Sequence, residues 1–212
     1  AWFYDARNYI NGTPAIHKKY ICFGSCDGTL RIVSGIDGKL IAEFNTGAYI
    51  PGSPAILNGN IVSANFAGKV ICVNLETKKI RWEFNSEKED LSFMSDPALS
   101  LYKAVLLSKN GNVICLNLFD GKLLWKFKTK GNIEGSAVIA GNSVIFGASD
   151  GNVYMLNLND GKVVWTFEIG FPIKTSPAIS LNSIYIGADD GFLYCFKTEN
   201  SVVPKKINSN RN

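Results

Sequence analysis

The sequence has few of the residues from which metal sites and catalytic sites are usually built. Its 212 residues include one histidine, His17, and five cysteines without a pairing pattern. Cys22 and Cys26 lie four residues apart, but no second Cys or His pair is present to complete a tetrahedral zinc site. No Ser-His-Asp order, paired buried carboxylates or phosphate-binding glycine loop stands out. We therefore expect no catalytic, cofactor-binding or metal-binding residues and no bound cofactor.

Long apolar runs and a strong charge of one sign are also lacking. No segment approaches the roughly 20 apolar residues that span a membrane, and no signal peptide is visible. The net charge of +4, from 22 Lys and Arg against 18 Asp and Glu, is too small for a dedicated nucleic-acid binder. The hydrophobic content of 46% excludes disorder. The chain begins at Ala1, without methionine and inside a repeat, so its start says little about a targeting signal or a lipid anchor.

Five copies of one repeat of about forty residues organise the chain. One marker is a tetrapeptide at residues 13, 53, 96, 136 and 176, which reads Thr-Pro-Ala-Ile, Ser-Pro-Ala-Ile, Asp-Pro-Ala-Leu, Ser-Ala-Val-Ile and Ser-Pro-Ala-Ile. Two further markers recur at intervals of 40 or 43 residues, a glycine (Gly28, Gly68, Gly111, Gly151, Gly191) and an aromatic residue (Tyr4, Phe44, Phe84, Phe127, Phe167). Three markers in one register leave little room for chance.

Each copy has the pattern of four β-strands. In the fourth copy, apolar runs at 143–147, 153–156 and 163–167 are separated by Asp150-Gly151 and Asp160-Gly161. Asp-Gly between β-branched and aromatic runs is a strong hairpin signal, because glycine adopts positive φ without penalty. With no helical periodicity, this pattern predicts an all-β propeller of four-stranded antiparallel blades.

The two ends of the chain carry incomplete copies. Residues 1–4 align with the fourth strand at 164–167, and the last copy, from 176 to about 197, supplies three strands. If residues 2–4 pair with the strand near 193–196, the ring closes with five blades and protects its sheet edges. We place the propeller at 1–198 and a polar tail at 199–212. The three extra residues of the 43-residue interval fall within 86–92, where we expect a solvated loop.

Two repeated side chains predict packing between blades. Four tryptophans share one repeat position, with Ala42 as the exception: Trp2, Trp82, Trp125 and Trp165. We expect each ring to fill the gap between neighbouring sheets, with its indole N–H on a backbone carbonyl. Cys72, Cys115 and Cys195 share another position, and Val33 and Met155 are taken as its equivalents. Exchange with Val and Met predicts buried, reduced and unligated thiols.

Acidic and basic turn residues recur on what should be opposite faces. Asp37-Gly38-Lys39, Asp120-Gly121-Lys122 and Asp160-Gly161-Lys162 recur, with Glu76-Thr77-Lys78-Lys79 in the matching place. We expect a ring of lysines on one face that neighbouring acids nearly neutralise. The turns at Asp27-Gly28, Asp150-Gly151 and 189–191 should lie on the other face, and they supply too few oxygen ligands for calcium.

The repeat resembles the pyrroloquinoline-quinone-like propeller repeat. The resemblance rests on Ser-Pro-Ala-Ile at 176–179, Ile-Tyr-Ile-Gly-Ala-Asp-Asp-Gly-Phe-Leu-Tyr-Cys at 184–195 and Asn-Leu-Asn-Asp-Gly-Lys-Val-Val-Trp at 157–165, and it covers about 1–198. Proteins with this repeat include quinone-dependent alcohol and glucose dehydrogenases, the non-enzymatic lipoprotein of the outer-membrane β-barrel assembly machinery, and sensory or scaffold propellers fused to kinases. The segments 8–15 and 23–28 look like the middle of eight-bladed bacterial members. The repeat count leaves a closed five-bladed ring and part of an eight-bladed one both open.

The departures from the dehydrogenases favour a non-catalytic interpretation. The sequence has no adjacent cysteine pair, and no position matches the calcium-binding Glu, Asn and Asp of those enzymes. The resemblance implies a bacterial interaction or scaffold module of the periplasm or cell envelope, which binds a protein partner through a loop face. We expect no nucleic-acid partner and no direct membrane span. Two alternatives are a quinone-dependent dehydrogenase or a fragment of one, and a sensory or scaffold domain of a larger protein such as a kinase.

Overall fold

The computed structural model describes residues 1–86 and 91–197, and within them all regular structure is β. Nineteen strands form five antiparallel sheets, here called blades 1 to 5, and no helix occurs in these residues. Blades 1 to 4 have four strands each in sequence order, and blade 5 has three. The predicted all-β fold of four-stranded antiparallel repeats is confirmed.

The strands have these bounds. Blade 1 contains β1 (Ala15–His17), β2 (Tyr20–Gly24), β3 (Thr29–Ser34) and β4 (Leu40–Asn45). Blade 2 contains β5 (Ala55–Leu57), β6 (Asn60–Ala64), β7 (Lys69–Asn74) and β8 (Lys79–Asn85). Blade 3 contains β9 (Ala98–Leu99), β10 (Lys103–Leu107), β11 (Asn112–Asn117) and β12 (Leu123–Lys128). Blade 4 contains β13 (Val138–Ala140), β14 (Ser143–Gly147), β15 (Asn152–Asn157) and β16 (Val163–Glu168), and blade 5 contains β17 (Ala178–Ser180), β18 (Ser183–Gly187) and β19 (Leu193–Lys197).

The hydrophobic core lies between the blades rather than within them. Each of four large clusters of buried side chains combines residues of two successive blades, for example Val105 and Cys115 of blade 3 with Val144 and Leu156 of blade 4. The second and third strands of blades 1 to 3 are mostly buried, whereas fourth strands such as β12 alternate between exposed and covered positions. Each blade is therefore one layer of a stack, and its stability depends on its neighbours.

A chain of hydrogen bonds joins the first residues of the repeated tetrapeptides. In each case a backbone N–H donates to the side-chain oxygen of the equivalent residue in the next blade. The distances are 2.9 Å from Thr13 to Ser53, 2.6 Å from Ser53 to Asp96, 3.0 Å from Asp96 to Ser136 and 2.8 Å from Ser136 to Ser176. These bonds explain why a small hydroxyl or an aspartate recurs here, and they set the innermost strands side by side.

The ladder pairing predicted between residues 2–4 and the strand near 193–196 is not found. Within the described residues, β19 pairs with β18 alone, and residues 1–4 form no strand. Residues 2–4 lie instead against blade 1. The Trp2 Nε1 donates to the Gly35 carbonyl at 3.3 Å, and the Tyr4 ring meets Phe23 edge-on with 5.8 Å between centroids. The structure therefore shows five consecutive blades without the predicted closing strand pair.

The cysteine position needs one correction. Cys72 and Cys115 lie across from Trp82 and Trp125, and the residue across from Ala42 is Ile32, not Val33 as predicted from the sequence. Successive residues of a strand point to opposite faces of the sheet. An alignment that is wrong by one residue therefore assigns a side chain to the wrong face.

The cysteines differ in burial. All five are free, and Cys72 and Cys115 are fully buried as predicted, so burial raises the pKa of both thiols to about 12. Cys195 is only half-buried, because no fourth strand covers β19 in the described part of blade 5.

Two sequence predictions fall on residues that are not described. The polar tail assigned to 199–212 lies outside the described residues, and so does the centre of the predicted loop at 86–92. The flanks of that loop are described. Leu91 is buried, and the backbone N–H of Ser92 donates to the Ser108 hydroxyl at 3.1 Å.

Candidate docking site on the turn face

Strand order defines two faces of the molecule. Within each blade the strands are consecutive and antiparallel, so the first and third hairpin loops lie at one end, which we call the turn face. The second hairpin loop and the connection to the next blade lie at the other end, which we call the crossover face. As predicted, the Asp-Gly-Lys turns lie on the turn face and the hairpin turns at Asp27, Asp150 and Asp190 lie on the crossover face.

The lysines of the Asp-Gly-Lys turns are paired with acids of the same turns. The Nζ of Lys39 lies 3.1 Å from Asp37, that of Lys122 3.1 Å from Asp120, and that of Lys162 3.4 Å from Asp160. All three lysine side chains are largely exposed, so each pair contributes little to stability. The ring of lysines has little net charge, as the sequence predicted.

The Asp-Gly turns on the crossover face brace their own hairpins. Asp27 accepts hydrogen bonds from Arg31, the closest at 2.6 Å, and Asp150 accepts the Tyr154 hydroxyl at 2.7 Å. Asp190 accepts the Tyr194 hydroxyl at 2.5 Å in the same way. In residues 1–86 and 91–197, no three His, Cys, Asp or Glu side chains converge on one point. These carboxylates hold a strand to its turn.

Tryptophan and glycine form a repeated contact near the turn face, as the sequence predicted for the indole. Trp82 and Trp125 are buried, and their Nε1 groups donate to the carbonyls of Leu118 at 2.8 Å and Leu158 at 2.9 Å. Each ring covers the turn glycine of the next blade, Gly121 or Gly161. Trp2 covers Gly38 in the same way. The indole thus closes the junction between two blades at its outer end.

The junction between blades 1 and 2 lacks this contact. Ala42 stands where the other junctions have tryptophan, and Lys78 stands where they have glycine. The Tyr20 ring and Ala42 both pack against the buried cluster shared by blades 1 and 2, and the Lys78 Nζ lies 4.8 Å from the centroid of the Tyr20 ring. A cleft of about 620 Å³ remains there, lined by residues 17–20 of blade 1 and by Leu75, Glu76 and Lys78 of blade 2, among others. The sequence identified Ala42 as an exception, but the cleft was not predicted.

An exposed apolar patch occupies the turn face of blade 3. Leu101, Tyr102 and Phe119 are 58%, 64% and 45% exposed, and we call these three residues the turn-face patch. The rings of Tyr102 and Phe119 are 5.9 Å apart. Arg81 of blade 2 lies over Phe119, with its guanidinium 5.1 Å from the ring centroid and its Nε donating to the Phe119 carbonyl at 3.1 Å.

The repeat does not require the aromatic pair of the turn-face patch. The positions equivalent to Tyr102 hold Lys19, Gly59, Asn142 and Asn182, and those equivalent to Phe119 hold Ile36, Glu76 and Asn159, so the pair of rings occurs in blade 3 alone among the aligned copies. Sequence reasoning missed this patch, although comparing the copies at these positions would have indicated it. Exposed apolar side chains that are clustered and not required by the fold are typical of interaction sites.

The crossover face has a smaller apolar group. The rings of Tyr49 and Phe66 stack with 4.8 Å between centroids, and the Tyr49 hydroxyl lies 3.6 Å from the Met94 sulfur. Tyr49 and Phe66 are half-buried, so this group offers less accessible surface than the turn-face patch.

Comparisons with known proteins agree with this architecture. Residues 96–200 match the model of the family described as outer membrane protein assembly factor BamB. Among solved structures, BamB from Moraxella catarrhalis matches with a TM-score of 0.81 and 18% identity over 93% of this chain and 64% of its own. The search of curated proteins returned no sequence match.

Two quinohemoprotein alcohol dehydrogenases are similar in fold. The enzyme ADHIIG from Pseudomonas putida HK5 matches with a TM-score of 0.80 and 13% identity, over 98% of this chain and 43% of its own. The enzyme from Comamonas testosteroni matches with a TM-score of 0.78 and 12% identity, over 94% of this chain and 43% of its own. The chain therefore spans less than two thirds of each of these three structures.

The strand order and these comparisons define the class of protein. The chain is a β-propeller repeat protein. More specifically, residues 96–200, which include blades 3 to 5, match the repeat family of the assembly factor BamB, and the fold of the chain resembles that of BamB. No helix in the described residues is long and apolar enough to cross a membrane.

The residues of the cleft do not fit the quinone and calcium that the dehydrogenase branch implies. Calcium takes six to eight oxygen ligands, several of them carboxylates. The cleft offers one carboxylate, Glu76, beside Lys18, Lys19 and Lys78.

Proposed function

We propose that this propeller is a non-catalytic docking module that binds a protein partner through its turn face. The observation that supports the proposal is the turn-face patch, in which Leu101, Tyr102 and Phe119 are exposed beside Arg81. Tyrosine, arginine and other large side chains contribute most of the binding energy at protein interfaces.

The loop and the turn that carry the turn-face patch are held in place by the blades, which favours docking. Leu101 and Tyr102 lie in the loop between β9 and β10, and Phe119 lies in the turn between β11 and β12. The Trp82 indole holds that turn against blade 2 through the Leu118 carbonyl at 2.8 Å. A surface that is already ordered loses little conformational entropy on binding, so more of the contact energy remains as affinity.

The proposal places the module in the periplasm or cell envelope of a bacterium, as part of a machinery that handles envelope proteins. Its support is the similarity to the outer membrane assembly factor in fold and repeat sequence. The propeller would occupy 1–198, with 199–212 as a polar tail.

The test compares matched substitutions on the two faces. Tyr102→Asp places a charge in the turn-face patch, and Phe171→Asp places one at an exposed apolar position of the crossover face. Tagged full-length protein is purified from the organism that encodes it. We expect Tyr102→Asp to lose a partner that the wild type and Phe171→Asp both retain. Retention of every partner by Tyr102→Asp, or a spectral change on titration with pyrroloquinoline quinone and Ca²⁺, would contradict the proposal.

A further inference from the structure

We propose that the cleft between blades 1 and 2 binds an acidic segment of a protein partner. The proposal rests on the docking function proposed above and adds a second contact site on the same face. Four observations carry it: a paired departure from the repeat, a backbone conformation that lysine disfavours, lysines that form no ion pair, and a cavity of suitable size. The Lys78 Nζ donates to the Glu76 carbonyl at 3.1 Å and to the Tyr20 hydroxyl at 3.5 Å, so its charge is hydrogen-bonded but not neutralised.

The departure from the repeat involves two residues that should face each other. Where an indole is present, the facing turn residue is glycine, because a Cβ there would lie 2.7 Å from the Trp82 ring or 2.6 Å from the Trp125 ring. At the junction of blades 1 and 2, Ala42 removes the indole, and Lys78 takes the place of glycine. The absence of the ring therefore leaves room for a side chain at position 78, and Lys78 lines the cleft at this junction.

The backbone conformation at Lys78 is not one that lysine prefers. Its φ is 56°, in the left-handed region, where the equivalent Gly38, Gly121 and Gly161 have φ of 71°, 71° and 70°. A glycine would adopt this conformation without strain, and non-glycine residues in it are often found at functional sites.

The cations of the cleft lack the acids that neutralise the other turn lysines. Within the described residues, Lys18, Lys19 and Lys78 form no ion pair within 4.0 Å. The Nζ groups of Lys19 and Lys78 lie 5.8 Å and 4.8 Å from the centroid of the Tyr20 ring. Glu76 is the one carboxylate in the lining, so the cleft has an excess of positive charge.

An extended acidic peptide would match both the positive charge of the cleft and its Tyr20 ring. Its carboxylates would meet the ammonium groups, and its apolar atoms would contact Tyr20. Leu75 lines the cleft, and it occupies the repeat position of Leu118 and Leu158, whose carbonyls accept an indole N–H at the other junctions. A peptide N–H is the equivalent donor. The cleft volume of about 620 Å³ lies within the usual range of ligand-binding pockets, about 300–1,000 Å³.

The experiment measures binding of a fluorescein-labelled peptide of eight glutamates around a central phenylalanine, by fluorescence anisotropy on the full chain. We expect Lys78→Gly, which restores the repeat residue, to weaken binding at least fivefold without lowering the melting temperature. The double variant Ala42→Trp with Lys78→Gly refills the junction with an indole and should abolish binding. Lys162→Ala, in the equivalent turn of blade 4, should change the dissociation constant less than twofold.

Three results would overturn the cleft as the site. These are wild-type affinity in both Lys78 variants, an equal loss of affinity in Lys162→Ala, and binding of inorganic phosphate without binding of the peptide. If the double variant does not fold, Lys78→Gly and Lys19→Ala decide the matter, since both side chains lie at the surface of the cleft. The docking function and the cleft are tested by different assays. Tyr102→Asp alters the turn-face patch and should leave the affinity for the peptide unchanged, so a failure of the docking function can be told apart from a failure of the cleft proposal.

Discussion

The indole of Trp125 covers Gly161 of the next blade, so that a Cβ at Gly161 would lie 2.6 Å from the ring. The Trp125 Nε1 donates to the Leu158 carbonyl, three residues before that glycine, at 2.9 Å. One side chain thus both packs against and hydrogen-bonds to the turn of its neighbour. The same pair of contacts joins Trp82 to Gly121 and Leu118. The junction of blades 2 and 3 and that of blades 3 and 4 are built from this contact at their outer ends.

Removal of the indole should destabilise the propeller strongly. Trp125 is 8% exposed, and Trp125→Ala should cost about 3–5 kcal/mol of unfolding free energy, as for other buried aromatic side chains. Trp2→Ala should cost less, because Trp2 is 39% exposed. Urea denaturation of both variants beside wild type checks the difference. A shift below about 1 kcal/mol for Trp125→Ala would show that the ring is not packed.

The glycine side of the contact can be tested independently. Gly161→Ala places a Cβ in the left-handed region and against the indole, whereas Gly141→Ala places one in the same region with nothing within 4 Å. We expect Gly141→Ala to cost about 1–2 kcal/mol from the backbone alone. Gly161→Ala should cost about 1–3 kcal/mol more, from overpacking. In the Trp125→Ala background that additional cost should vanish, and equal costs in both backgrounds would argue against the contact.

Acid should weaken the contact between Asp27 and Arg31. The hydrogen bond from Arg31 holds the pKa of Asp27 well below its usual range. The folded pKa lies below that of the unfolded chain, about 3.9, so the stabilisation is present above that pH and is lost as the pH falls through the folded value. We expect Asp27→Asn to lower stability at pH 7 and to approach wild type at pH 2.5. Denaturation midpoints at both pH values measure this, with Glu134→Gln as a control for the change of charge.

Cysteine reactivity should follow the position of each thiol. Burial raises the pKa of Cys22, Cys72 and Cys115 to about 12, so these thiols should resist iodoacetamide in the native protein at pH 8. Cys26 and Cys195 are partly exposed and should be alkylated. Mass spectrometry of peptides from labelled native protein checks the pattern. Native labelling of Cys72 or Cys115 at the rate of Cys26 would show that the core between the blades opens readily.

Much of the fold could be predicted because the sequence repeats. The hairpin glycines and the indole position follow from local geometry that each copy must satisfy. The pairing of residues 2–4 could not be predicted in the same way, because strand pairing depends on neighbours far away in sequence. The assignment of Val33 in place of Ile32 shows how a displacement of one residue selects the wrong side of a strand.

The candidate sites were harder to predict because they depart from the repeat. Their signal lies in the differences between copies: Tyr102 and Phe119 are aromatic where no other copy is, and Lys78 replaces glycine where Ala42 replaces tryptophan. The sequence shows each difference separately. That positions 42 and 78 belong to one junction follows from the tryptophan–glycine contacts of the other junctions, and the distance of 5.9 Å between the rings of Tyr102 and Phe119 follows from the packing of the hairpins.

Site-specific photo-crosslinking on the two faces tests the docking function most directly. Benzoylphenylalanine is introduced at position 102 on the turn face and, in a separate protein, at position 171 on the crossover face, where Phe171 is 51% exposed. Both proteins are irradiated in cells of the organism that encodes the chain. The account predicts a discrete adduct of defined mass from position 102 and none from position 171. An adduct from position 171 alone, or none from either, would contradict docking through the turn face.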